Sequence, residues 1–396
     1  MTFAYLASTS IFIMFSWGRY AMLGSCLALL GYSAVRNHMK LQFRWDAFVK
    51  WEIGFVAFSF CSVLWAVQRG SALRKSISLF EIALFTELIN AALPREGKGK
   101  ILLHALMWTG YVEALYLLFA IRSGRLTLLD MEDGRMSNAL GNANFVGMIM
   151  AVTIIVTLYS VFFENARFVH LLALPCFYIL GISQSRTAFI GFLFGVVCIM
   201  IVYIRNGNSA KNVLWRVLLL TIGCVLLLYI TIEKHLLDGM IGRIGSLQTS
   251  ITSRSGDGSA NIRLRMIEIG FQTFLKYPLL GTGIGTSGNI VLVALGRNTY
   301  FHDNFVELLA CGGILGFIAF YWPYFYMLKK WWRYRFVYRF KPKPAVQMAI
   351  ILLSMLLIMD IGTVSYSEKN MHYYILLLLT QTANWRAEAF SDDENE

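Results

Sequence analysis

The residues of this chain best suited to chemistry are one histidine among carboxylates and a few arginines in polar turns. His302 lies in Tyr300-Phe301-His302-Asp303-Asn304-Phe305-Val306-Glu307-Leu308-Leu309, the richest polar surroundings of any of the six histidines. A histidine there can act as a base near neutral pH, close to its ordinary pKa. Asn304 and Glu307 are near enough in sequence to orient it. The alternative is a histidine that caps the helix following it. On either reading Glu307, set in an apolar run, needs a partner. Arg263 and Arg265 are two residues apart, so on a helix they cannot share a face, and at least one must point into the protein or a lined cavity. Both can equally bind lipid phosphate at the surface. Arg186, within Ser183-Gln184-Ser185-Arg186-Thr187, is either a fixed guanidinium for a phosphate or a loop arginine reaching toward headgroups.

Several other chemistries drop out. Gly281-x-Gly283-x-Gly285 follows a proline-terminated helix with no strand–helix–strand pattern around it, so it is not a dinucleotide fingerprint. Asp130, Glu132 and Asp133 are closely spaced, but nothing completes an octahedral cation site, and neither metal nor cofactor is expected. There is no HExxH, P-loop or GxSxG motif. A bond-forming reaction here must use a donor that arrives already activated.

The elements that position these residues follow from composition. Of 396 residues, 57% are hydrophobic and 15% charged, and the mean hydropathy is +0.58. Soluble domains carry about 25% charged residues. The apolar residues fall in blocks of roughly 16 to 22, matching the roughly 20 helical residues that span a bilayer core. The expected fold is an all-α, polytopic integral membrane protein of about twelve spans, at 2–17, 20–35, 51–67, 77–93, 101–121, 144–162, 169–183, 187–204, 214–232, 304–328, 346–361 and 372–385. The N-terminal block is apolar from Phe3 without a basic leader, so it reads as a span rather than a signal peptide. With both termini in the cytoplasm, the inside loops hold roughly twice as many Lys and Arg as the short outside loops. Topology thus accounts for the net charge of +12 without nucleic acid. Lys329-Lys330-Trp331-Trp332-Arg333-Tyr334-Arg335 reads as an interfacial anchor. The six cysteines lie in or beside apolar blocks without CxxC spacing and read as small buried hydrophobes.

The whole chain, 1–396, reads as one membrane domain without internal repeats, with a cytoplasmic tail at 386–396. Two outside segments are long. The first, 122–143, leads into Gly141-Asn142-Ala143-Asn144. The second, 233–303, is a partly helical periplasmic loop. A helix is predicted from Asn261 to Tyr277, with Leu264, Ile267, Phe271, Phe274 and Leu275 near helical spacing. Pro278 ends it, and Gly281, Gly283, Gly285 and Gly288 mark a turn-rich passage. Long loops carry function disproportionately, which puts the expected site on the extracytoplasmic face.

At this point a resemblance can be stated. Asn142-Ala143-Asn144, Ser185-Arg186-Thr187-Ala188, Arg263 ahead of Pro278-Leu279-Leu280-Gly281-Thr282-Gly283, and His302-Asp303-Asn304-Phe305-Val306-Glu307-Leu308 before Gly312-Gly313-Ile314-Leu315-Gly316 occur in that order. Together they resemble the bacterial O-antigen ligases and Wzy-type polysaccharide polymerases. The family often has Asn directly after the histidine, where this chain has Asp303. The resemblance implies inverting glycosyl transfer from a glycan on undecaprenyl pyrophosphate, on the periplasmic side of the bacterial cytoplasmic membrane, without metal or cofactor. It implies Arg263 and Arg186 on the pyrophosphate, Arg265 as a further phosphate residue, and His302 as base or acceptor orienter. Asn304 and Glu307 would orient His302. Asn142 and Asn144 would bind sugar or shape the cavity, and helix capping accounts for them equally well.

Within the family, Arg263-x-x-Met266-Ile267-x-x-Gly270 and the wording around His302 look more like the polymerases. A polymerase transfers the chain onto another lipid-linked repeat unit, and a ligase transfers it onto lipid A–core. The implied partners are these glycans, membrane lipids, a flippase and a chain-length regulator. A lipid-linked-sugar transporter is the rival class, but its charges would lie near mid-membrane along a path open to both sides. The enzyme reading expects Arg186, Arg263 and His302 to line one cavity.

Overall fold

The computed structural model of the chain describes residues 45–94, 97–123, 143–164, 169–206, 259–337 and 343–390, with isolated positions between 24 and 35. The spans expected at 2–17 and 214–232, most of 20–35, Asn142, the acidic residues Asp130, Glu132 and Asp133 and the last six residues lie outside these. Among the described residues every regular element is a helix. Four helices are long and apolar enough to cross a membrane: Lys98–Arg122, Ala143–Phe163, Arg186–Arg205 and Asn304–Phe336. Ala173–Ser183 and Pro344–Asp360 are apolar but shorter. The chain divides into two compact units.

The first unit contains, among the described residues, α3 (Lys98–Arg122) from Lys100 on, α4 (Ala143–Phe163), α5 (Ala173–Ser183), α6 (Arg186–Arg205) and most of α10 (Pro344–Asp360). A helix apolar on all sides must be buried on all sides, and α4 is, from Ala143 to Tyr159 with hardly an interruption. Small residues let its neighbours approach. Gly110 of α3 faces Thr153, Gly195 of α6 faces Ile155, and Gly147 of α4 takes the Ser183–Ser185 corner. The hydroxyls of Tyr111 and Thr157 join α3 to α4 at 2.5 Å.

At one end of this unit Glu164 binds His104 at 2.7 Å and Lys100 at 3.5 Å. The hydrogen bond from His104 holds the Glu164 carboxyl below the ordinary glutamate value of 4.5. A depressed carboxylate stabilises the fold above its unfolded pKa, and that contribution is lost as pH falls through the folded value. The melting-temperature gap between the parent and Glu164→Gln is therefore expected to close in acid, as pH falls from the ordinary glutamate value of 4.5 through the lower folded value. A gap that widens in acid would refute this.

The second unit contains α1 (Ala47–Ser62), α2 (Arg69–Ala92), α7 (Ser259–Lys276), α8 (Ser287–Leu295), α9 (Asn304–Trp332), the segment from Asp360 and α11 (Lys369–Phe390). Asp46 caps α1 by accepting from the N–H of Val49 at 3.0 Å. Trp51 donates its indole N–H to the Phe320 carbonyl at 3.1 Å, and Phe55 packs on Phe320 with ring centroids 5.2 Å apart. Buried His372 of α11 meets Glu52 of α1 at 2.8 Å and donates its other ring N–H to the Tyr366 carbonyl at 2.8 Å.

α9 is not continuous. Gly313 adopts φ 62°, ψ −167° in its interior, a conformation essentially reserved for glycine. The turn after α7 fills the break. Thr282 and Gly283 donate to the carbonyls of Ala310 and Cys311 at 3.1 and 2.8 Å, and Ile314 and Leu315 donate to Pro278 and Leu279 at 2.8 and 3.2 Å. The two backbones meet so closely because Gly281 lies against the Cys311 carbonyl and Gly313 against that of Leu279, where a Cβ on either would collide. The Pro278–Gly283 and Gly312–Gly313 motifs are thus two halves of one joint.

Candidate functional site

His302 stands where the α8–α9 connection enters α9, with φ +61°. The left-handed region is sparsely used by residues other than glycine and favours turns and functional positions. Its ring lies 4.3 Å from that of Tyr300. Asp303 is the helix cap, extended and accepting from the N–H of Val306 at 2.9 Å. Burial raises its carboxyl above the ordinary aspartate value, against the pull of the Val306 and Phe305 N–H groups. Capping thus falls to Asp303, and His302 is left free of that task.

Glu307 finds the partners its burial demanded. One oxygen accepts from the Ser287 hydroxyl at 2.6 Å, and the other from the N–H of Phe301 at 3.2 Å. It therefore holds the backbone one residue before the histidine, and ties the start of α8 to the same corner. Glu307→Ala leaves two buried donors unpaired, at about 1–3 kcal/mol each. It is expected to lower the melting temperature markedly, whereas Glu307→Gln, which keeps an acceptor for Phe301, should lie nearer the parent. Equal melting of all three would show that these bonds do not hold the corner.

Asn304 faces away from His302's ring toward the loop after α10. Its oxygen accepts from the N–H groups of Ser365 and Tyr366 at 2.9 and 3.1 Å, and its nitrogen donates to the Tyr321 hydroxyl at 2.8 Å. Tyr321 and Ser365 both donate to buried Asp360, at 2.8 and 2.5 Å. Asn304 thus anchors a loop and does not touch the histidine through these bonds. Sequence reasoning missed Asp360 and the 361–368 loop, whose partners lie about sixty residues away in the chain. It also missed Lys75, which donates to Ser367 at 3.2 Å and passes against Gly285. The charge of Lys75 opposes those of Glu307 and Glu368.

The arginine pair separates as its spacing required. Arg263 is half-buried and Arg265 exposed. Arg263, Met266 and Gly270 fall on one side of α7. Met266 joins the core cluster of Phe301, Val291, Ala310 and Cys311, and Gly270 lies against Val306 and Phe301. The helix observed at Ser259–Lys276 agrees with the predicted one. Leu264, Phe271 and Leu275 point outward, while Ile262, Met266 and Ile269 pack inward.

In the first unit, Arg186 opens α6 and is half-buried. Ser185 caps that helix, accepting from the N–H of Ala188 at 3.3 Å. Gln184, with φ +48°, makes the corner from α5. Asn144 is buried on α4, one turn before the Gly147 that receives this corner. It is the second residue of α4 and not its cap. Asn144 and Arg186 therefore come to one end of the first unit, and Arg263, His302, Asn304 and Glu307 to one region of the second, with Arg265 on the outside of α7.

Residues 171–321 match the family model described as O-antigen ligase. The matched range contains Arg186, Arg263, Arg265, His302, Asn304 and Glu307, and it bears out the resemblance drawn from the motifs. No curated protein matches the chain.

Proposed function

We propose, given that this chain belongs to the O-antigen ligase and Wzy-type membrane family over residues 171–321, that it catalyses inverting glycosyl transfer from a glycan carried on undecaprenyl pyrophosphate. At family level the chemistry is ligase- or polymerase-type glycosyl transfer. The observation that carries the finer reading is His302, held in a left-handed conformation beside a capped helix start, with Glu307 fixing the backbone before it.

In this reading His302 accepts the proton of the acceptor hydroxyl as its oxygen attacks the anomeric carbon. The bond from that carbon to the pyrophosphate oxygen breaks, inverting the centre and releasing undecaprenyl pyrophosphate. Arg263 and Arg186 neutralise the charge that develops on the leaving group, which fixed guanidinium groups do by forked hydrogen bonds. Lys75 adds a cation in the same unit as Arg263, and Arg265 serves the outer phosphate surface. Asn142 and Asn144 contact sugar. The site faces the periplasm from the cytoplasmic membrane, with both termini inside, and a flippase and a chain-length regulator act beside it.

The motif wording favours polymerisation of repeat units. Transfer onto lipid A–core is the second reading, favoured by the ligase description of the matching family. Both are tested by reconstituting the protein with undecaprenyl-pyrophosphate-linked repeat unit, with and without lipid A–core. A ladder from the lipid-linked unit alone supports polymerisation, and product only with lipid A–core supports ligation. Arg263→Ala is expected to reduce either product by about 10²–10³-fold, with Arg263→Lys recovering little because the forked match is lost. Unchanged transfer by Arg263→Ala at matched expression would remove Arg263 from the site.

A further inference from the structure

The exposed side of α7 mixes Leu264, Phe271 and Leu275 with Arg265, Glu268, Gln272 and Lys276, and the turn that follows it is apolar. Leu264, Phe271 and Leu275 are 51%, 50% and 63% exposed, and Leu279 and Leu280 in the following turn are 65% and 40% exposed. On the helix the four polar residues lie between and beside the apolar ones, with Gln272 donating to Glu268 at 3.5 Å.

The neighbours of this turn are residues of a membrane-spanning helix. The carbonyls of Pro278 and Leu279 receive the N–H groups of Ile314 and Leu315, and Ile314 and Leu315 are themselves exposed. The outward side chains of the turn and of α9 thus form one continuous apolar surface. Depth follows from the basic-aromatic anchor at the far end of α9. Counting back from Lys329, about 20 helical residues fill the hydrocarbon layer, which reaches to Leu309. Ile314 then lies roughly 7 Å inside it, at 1.5 Å per residue.

The backbone of the turn is satisfied as the hydrocarbon demands. Beyond the bonds to α9, Ile284 donates to the Ser62 hydroxyl at 3.1 Å, and the carbonyls of Leu280 and Thr282 accept from the Trp65 indole at 3.1 Å and the Val67 N–H at 2.9 Å. Irregular backbone is tolerated at membrane depth only when protein satisfies it in this manner. The chain also returns. α8 begins with Ser287 bonded to Glu307, near the outer end of α9, and its Val291 rejoins the cluster of Met266 and Phe301.

We propose that the end of α7 and the turn Pro278–Gly283 form a re-entrant hairpin that dips into the membrane beside α9, with Leu275, Leu279 and Leu280 in contact with acyl chains and Lys276 reaching back toward the headgroups. The turn is then not a water-bathed loop. The inference rests on the membrane character of the chain and not on the transfer reaction.

The test places single cysteines at Leu275→Cys, Leu279→Cys and Glu268→Cys in the full-length chain, with the six native cysteines replaced by alanine and a single gel-filtration peak required. Each is labelled with the fluorophore NBD and reconstituted into phosphatidylcholine vesicles with and without doxyl-labelled lipid, and iodide is the aqueous quencher. Positions 275 and 279 are expected to lose most of their emission to doxyl lipid and little to iodide, with position 268 reversed. Quenching of 275 and 279 by iodide would overturn the hairpin, as would protection from both quenchers, which would mean protein covers the surface. Should Leu279→Cys fail the gel-filtration criterion, Leu275→Cys carries the same decision.

Discussion

Replacing His302 with glycine is expected to abolish glycosyl transfer while leaving the stability of the protein close to the parent's. The left-handed conformation at φ +61° costs a side-chain-bearing residue about 1–2 kcal/mol, and glycine removes that cost. Against this stand the loss of the ring contact with Tyr300 and the greater unfolded-state freedom of glycine. Loss of the base should lower the rate by about 10²–10⁴-fold. Thermal melting and the lipid-linked repeat-unit assay read the two effects separately. Transfer above about a tenth of the parent's would exclude His302 as the base, since general-base loss is larger. A melting temperature well below the parent's would show that its conformation is not strained.

The largest structural loss is expected from Gly313→Ala. The backbone there is in a region that costs other residues about 1–3 kcal/mol, and the added Cβ would strike the Leu279 carbonyl. The joint must then open, releasing the bonds of Ile314 and Leu315 to Pro278 and Leu279. With about 0.5–1.5 kcal/mol for each hydrogen bond, the total is on the order of 3 kcal/mol or more. Gly54→Ala, in open space on α1, is the matched control and should be neutral or slightly stabilising. Gly296→Ala combines φ +70° with open space and should cost only the strain, about 1 kcal/mol. The order 54, 296, 313 in yield of monodisperse protein is the expected result. Indistinguishable behaviour of 313 and 54 would dismiss the joint as a stabilising element.

These two positions also mark what the sequence could disclose. The apolar blocks at 144–162, 187–204 and 304–328 announced helices because bilayer-length apolar runs are a one-dimensional signal, and Ala143–Phe163, Arg186–Arg205 and Asn304–Trp332 follow them closely. Pro278 likewise announced the end of α7. Asp303 before an apolar run is a recognisable cap pattern, though the histidine beside it drew the attention. The joint was not legible, because Gly281 and Gly313 meet backbone to backbone and such contacts leave no periodicity. Which side of α7 packs inward was not legible for a related reason. Apolar spacing identifies a stripe, but two stripes on one helix do not say which meets protein. Nor does any local pattern link Glu52 to His372, 320 residues apart, or Asn304 to Ser365.

The Asn304 side chain carries a consequence for exchange of segments between relatives. Its oxygen receives two backbone N–H groups of the 361–368 loop, and its nitrogen reaches Tyr321, which in turn reaches Asp360. A graft that took the histidine and its helices, 259–332, but kept the host's later loop would split this set between two parents. The natural cut for a chimera runs after the loop and not before it. Residues 259–332 and 360–368 travel as one cassette although a whole helix separates them in the chain.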